Sequence, residues 1–104
     1  MISRVEEYVL VGVRELGPDG QAYGASLAEW LKGRTGGKYQ SLGSIYTTLQ
    51  RLEQQGFVES WYQETNAPGQ RAKRCFRVTG LGEKCLQEVR QTVMSVWQSE
   101  WGTI

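Results

Sequence analysis

Four side chains that can hydrogen-bond base edges or phosphates, Ser44, Thr47, Thr48 and Arg51, recur at short helical steps in the stretch SLGSIYTTLQRLEQQG, 41–56. At about 100° per residue, Leu42, Ile45, Leu49 and Leu52 form one apolar stripe, Ser44, Thr47 and Arg51 lie opposite it, and Thr48 falls at its edge. No acid appears in this stretch before Glu53. An arginine on such a face can hold a guanine edge through two parallel hydrogen bonds or grip a phosphate, and short hydroxyls let a helix come close to bases. The bland alternative is a solvated helix face.

Charge placement favours the first reading. The 104 residues carry 12 Lys and Arg against 11 Asp and Glu, a net charge of +1. Residues 30–52 nevertheless hold Lys32, Arg34, Lys38 and Arg51 with no acid, and residues 65–82 hold Arg71, Lys73, Arg74 and Arg77 with none. One such run is usually a solvated face, but two that fold side by side point to a polyanion, with double-stranded DNA as the expected partner. The expected contact set is Lys38, Ser41, Ser44, Thr47, Thr48 and Arg51 around the polar helix, joined by Arg71, Lys73 and Arg74 from the second run.

The elements that must position these residues follow from periodicity and punctuation. Ser3 and Glu6 form a capping-box pattern, and Val5, Tyr8, Val9, Gly12, Val13 and Leu16 predict a first helix from about Arg4 to Leu16, ended by GPDG at 17–20. Leu10 and Val11 make that helix apolar nearly all round, enough to touch two neighbours. A second helix, about Ala22 to Arg34, buries Tyr23, Leu27, Trp30 and Leu31 and stops at Gly36-Gly37. The third starts at the cap Ser41 and ends at Gly56. Two β-rich runs, FVESWYQ at 57–63 and KRCFRVT at 73–79, flank a turn-rich segment around Pro68-Gly69 and predict a hairpin with a long tip. Thr79 caps a last helix, about Leu81 to Glu100, with Leu86, Val89, Val93, Val96, Trp97 and Trp101 on one side.

Composition excludes several classes. With no His and only Cys75 and Cys85, a Cys/His zinc site is excluded, and both thiols read as small hydrophobes. There is no phosphate-binding loop, serine elbow or acid–base pair, so no catalytic residue, metal or cofactor is expected. No apolar run approaches a membrane span and the acidic start is unlike a signal peptide, so a cytoplasmic location away from membranes is expected.

Three helices followed by a two-stranded hairpin predict a mostly α fold with a small β-hairpin: a winged helix-turn-helix over 1–79, with the third helix in the major groove, and a C-terminal dimerisation helix over 80–104. Residues 9–86 resemble the PadR family of bacterial winged-helix regulators. The resemblance rests on GP ahead of the aromatic-glycine pair Tyr23-Gly24, on LGSIYTTLQRLEQQGFVES, and on FRVTGLGEKCL. It implies a homodimer that represses transcription, in some members with a small-molecule inducer, and a Tyr46 that offers its hydroxyl to a phosphate while its ring packs. This sequence departs from the family pattern at Gln21-Ala22, where a His is usual, at Thr47, where a Pro is frequent, and at Cys75-Phe76, where the family has paired tyrosines. The Cys75 departure leaves a redox role open.

The last helix has a large apolar stripe to cover, and pairing with a second chain would cover it. The expected interface is Leu86, Val89, Val93, Val96, Trp97 and Trp101 against the partner's Val5, Tyr8 and Val9, giving an inverted-repeat operator. Val93, Trp97 and Trp101 are the candidates for holding a small aromatic effector, the plainer alternative being a hydrophobic seam. The rival overall function is a winged-helix module that binds a protein partner without DNA.

Overall fold

The computed structural model describes residues 2–38, 41–64, 68–69 and 71–101, with side chains as far as Gln98. The chain runs α1 (Arg4–Leu16), a 3-10 turn (Gly17–Asp19), α2 (Gly24–Thr35), α3 (Leu42–Gln54), β1 (Val58–Gln63), β2 (Lys73–Val78) and α4 (Gly80–Trp101). This is the expected winged arrangement, with β1 and β2 forming a two-stranded antiparallel wing.

α1 starts where its box closes: the Ser3 hydroxyl accepts from the Glu6 N–H at 3.2 Å and the Glu6 carboxylate from the Ser3 N–H at 2.9 Å. Its nearly all-round apolar character reflects neighbours on several sides, since it packs on α2, α3, β2 and α4. Val9, Leu10 and Val13 are fully buried. Gly12 lets α2 come close, because a Cβ there would lie 2.9 Å from Leu27 Cδ2 and 3.2 Å from the Trp30 ring.

α2 begins at Gly24, two residues after the expected start. Tyr23 is extended, and ahead of it the Ala22 carbonyl accepts from the Phe76 N–H at 2.8 Å, tying the start of α2 to the wing. Gly36, at φ +66°, ends α2, and Gly56, at φ +80°, turns the chain from α3 into β1. Pro68-Gly69 makes a turn, and the other tip residues 65–67 and 70 lie outside the described residues.

The strand register pairs Val58 with Val78, Ser60 with Phe76 and Tyr62 with Arg74. Alternation therefore puts Val58 and Phe76 on one face, where both enter the core. Thr79 closes the wing onto α4: its hydroxyl donates to the Gly56 carbonyl at 2.6 Å and accepts from the Gly82 N–H at 3.1 Å. Gly82 is required there, as a Cβ would come within 2.2 Å of the Phe57 carbonyl oxygen.

Leu86 reaches the core, but every side chain from Arg90 to Gln98 is exposed. α4 thus projects beyond the body, giving dimensions of 56 × 29 × 22 Å. None of the described helices is long and apolar enough to cross a membrane.

Candidate nucleic-acid interface

α3 sits in the core differently from the expected register. Leu42 is 45% exposed, whereas Thr48 is only 4% exposed and its hydroxyl donates to the Ser44 carbonyl at 2.8 Å. With its hydroxyl satisfied one turn back, Thr48 presents a methyl group to the interior beside Ile45, Leu49 and Leu52. The expectation that Thr48 faces a ligand is therefore corrected, as is the inward assignment of Leu42.

This exchange rotates the outward face by roughly 30° at 100° per residue. Its centre is now Gly43, Thr47, Gln50 and Gln54, all exposed. Ser44 and Arg51 lie on the flank towards α1, and Tyr46 on the flank towards α2. The Thr47 hydroxyl donates to the Gly43 carbonyl at 3.0 Å and keeps its acceptor capacity outward. Gln50 and Gln54, absent from the expected set, are one turn apart, and a glutamine amide can bond both N6 and N7 of adenine. The signal that could have found them is that spacing opposite the stripe. Neither residue carries a charge or a hydroxyl.

Ser41 caps α3, accepting from the Ser44 N–H at 3.4 Å, and is exposed, as is Lys38 before it. Arg51 is exposed and acts on a nearby acid of α1. The Glu6 carboxyl is held below its ordinary value near 4.5, first by the Ser3 N–H, then by the Ser3 hydroxyl, the Gln55 amide and the Arg51 charge, against the opposing effect of burial. The Gln55 amide donates to Glu6 at 3.1 Å, tying the end of α3 to the start of α1.

The aromatic-glycine pair seats both halves of the interface. Gly24 lies under the Tyr46 ring, with room for a Cβ denied by Cζ and the phenolic oxygen, each at 2.5 Å. Tyr46 is 43% exposed, so its outer edge remains accessible. The neighbouring Tyr23 ring carries Lys73, whose Nζ lies 4.4 Å from the ring centroid. Lys73 is exposed at the start of β2 beside exposed Arg71.

The second basic run is less basic in space than in sequence. Arg74 Nη2 donates to Glu53 at 2.6 Å, and Arg77 is paired with Glu59 across the register. Arg74, expected to contact a phosphate, has its charge matched by a carboxylate of α3. Among the described residues, Lys38, Arg51, Arg71 and Lys73 take part in no ion pair.

The expected interface between chains divides similarly. Val9 is fully buried and Leu86 is 9% exposed, so both belong to this chain's own core and are removed from that set. Val5, Tyr8 and Val89 are half-buried. Val93, Val96 and Trp97 are exposed at 40, 61 and 46%, with Met94, not anticipated, at 37%. The Trp101 side chain lies outside the described residues. A crevice of about 340 Å³ opens between α1 and α4, with Val11, Leu86, Val89, Val93 and Met94 in its wall. Val93 lines it, but Trp97 does not.

The sequence model of the PadR-like family of transcriptional regulators matches residues 15–88. The chain belongs to this family. An uncharacterised protein of Lysinibacillus sphaericus is 29% identical over 68 residues, which span 64% of this chain and 61% of that relative's length. The PadR-like transcription factor of Bacteroides fragilis superposes with a TM-score of 0.76 at 18% identity, covering 91% of this chain and 84% of that one. PadR of Bacillus subtilis, solved in complex with operator DNA, gives a TM-score of 0.68 at 18% identity over 83% of this chain and 46% of that one.

The PadR-like match takes in α2, α3, the wing and the start of α4, and stops just short of the exposed segment that begins at Arg90. It also includes Cys75, where the redox question arose. That thiol is 1% exposed and burial pushes it above its ordinary range, with the Lys73 charge acting in the opposite direction. Burial likewise raises the half-buried Cys85. Neither has the character of a reactive thiolate.

Proposed function

We propose that this PadR-like regulator binds DNA sequence-specifically as a homodimeric repressor on an inverted-repeat operator. α3 enters the major groove with Thr47, Gln50 and Gln54 towards the bases, and Ser41, Ser44, Tyr46 and Arg51 lie along its flanks. Lys38, Arg71 and Lys73 approach the phosphates. The observation that carries this reading is an acid-free outward face of α3 bordered by Lys38, Arg71 and Lys73, which form no ion pair among the described residues. That a relative of this fold was solved in complex with operator DNA supports DNA as the partner.

The exposed apolar side of α4, including Val93, Met94, Val96 and Trp97, supports pairing with a second chain. Two-fold symmetry then separates the recognition helices by one turn of DNA, about 34–36 Å. A small aromatic effector held in the crevice between α1 and α4 would relieve repression by favouring a helix spacing that fits DNA poorly.

Anisotropy titration of the intergenic duplex upstream of the protein's own gene tests this. Lys38, Arg71 and Lys73 from two chains give roughly six phosphate contacts, so log K should fall against log[salt] with a slope near −5. Equal binding to unrelated duplexes would end the sequence-specific reading. The second reading, a module for a protein partner, draws support from the ion pairs that neutralise Arg74 and Arg77. It requires a shallow slope and no preference for duplex.

A further inference from the structure

The junction between α3 and the wing contains a polar cluster that the proposed DNA contacts do not use. Glu53, on the last turn of α3, accepts from Arg74 Nη2 of β2 through Oε1 at 2.6 Å and from the Ser60 hydroxyl of β1 through Oε2. Arg74 Nε donates to the same Ser60 oxygen at 3.2 Å, and its guanidinium lies 5.3 Å from the Phe76 ring centroid. The register explains the convergence: Ser60 faces Phe76 and Tyr62 faces Arg74, so alternation puts all four on the side of the wing turned to α3.

One carboxylate therefore joins both strands of the wing to the recognition helix. The covalent link between α3 and β1 is short and turns at Gly56, at φ +80°, so any change in the angle between α3 and the wing would have to pass through this turn. A pivot at Gly56 would move Lys73 and Arg71 relative to Gln50 and Gln54. The Glu53 cluster spans that pivot on the side facing α3.

We propose that Glu53 is a positioning residue for DNA recognition, fixing the angle of the wing so that phosphate contacts and base contacts are made together. This rests on the DNA-binding reading above. In this role Arg74 is a strut, and its charge contributes nothing to the phosphate count. A direct phosphate role for Arg74 would have opposite consequences, because removing Glu53 would release a cation towards the DNA.

The test combines operator binding with hydrogen exchange of the free protein, using Glu53→Gln, Arg74→Met and the charge-swapped pair Glu53→Arg with Arg74→Glu. A strut requires faster exchange of the Trp61 and Cys75 amides, which bond across the wing where those of Tyr62 and Arg74 do not, in both single variants. It also requires a loss of operator affinity of about fivefold, an unchanged salt slope, and recovery in the swapped pair. Tighter binding by Glu53→Gln with a steeper salt slope would overturn the proposal in favour of a phosphate contact. Unchanged exchange together with unchanged affinity would overturn it as well. Faster wing exchange in a protein whose unaltered form binds no duplex would uphold the strut and defeat the DNA-binding reading, so the two failures are distinguishable.

Discussion

The phenol of Tyr46 fills the volume that a side chain at position 24 would need, since a Cβ on Gly24 would lie 2.5 Å from both Cζ and the phenolic oxygen. The first residue of α2 and the exposed flank of α3 are thereby in direct contact. Gly24→Ala should destabilise the fold by about 1–3 kcal/mol through overpacking, measured by urea unfolding. Adding Tyr46→Ala removes the obstacle, so the double variant should be less destabilised than the two single losses combined. Strict additivity would refute the contact.

The rotated face of α3 makes a contrast between neighbours. Gln50→Ala and Gln54→Ala should each lower operator affinity by about 1–3 kcal/mol and relax preference at one base position. Thr48→Val should leave base preference intact, because that hydroxyl is bonded to Ser44 inside the fold. Lys73→Ala should weaken all duplexes alike and make the salt slope shallower by about one per protomer. Anisotropy against single-base operator variants reads all of these. A changed preference in the Thr48 variant would mean that the face has been assigned wrongly.

Glu6 gives a signed pH dependence. Its folded pKa lies below the ordinary value near 4.5, chiefly because of the Ser3 N–H, so its stabilising contribution is fully present above that value. The contribution is lost as pH falls below 4.5 and through the folded pKa. Urea midpoints of wild type and Glu6→Gln should therefore differ at neutral pH and converge in acid. A gap that widens on acidification would contradict this assignment.

Association through α4 can be read by light scattering. The wild type should be a dimer at micromolar concentration, and Val93→Glu, by placing a carboxylate in an apolar seam, should weaken pairing by roughly 100-fold. A monomeric wild type would exclude the paired arrangement.

The thiols provide a control on the redox question. Cys75, 1% exposed and with its thiol raised by burial, should react with a thiol reagent only under unfolding conditions. Mild oxidant should leave operator affinity unchanged, and a loss of affinity reversed by reductant would reopen a sensing role.

Local signals in the sequence carried much of this architecture. Ser3 with Glu6, Thr79 ahead of Gly82, and the stops at Gly36 and Gly56 each act within a few residues, and each appears where expected. The site was harder to read because its key decisions are made across space. Arg74 looks like a free cation in an acid-free run, yet its partner Glu53 is 21 residues away. Thr48 looks polar until its hydroxyl is bonded to its own helix, and Leu42 looks apolar until the helix end carries it past the core. Val9 and Leu86 belong to amphipathic stripes that serve both this chain's interior and its surface, and periodicity alone does not say where one ends.

The outer half of α4 has a practical implication. Only its first turns are braced by the body of the chain, while residues 90–98 have exposed side chains throughout. Short unsupported helices are marginal in water. Helicity there will consequently track whatever the segment meets in solution, and protein concentration becomes the first variable to control in any melting curve or exchange measurement made on this molecule.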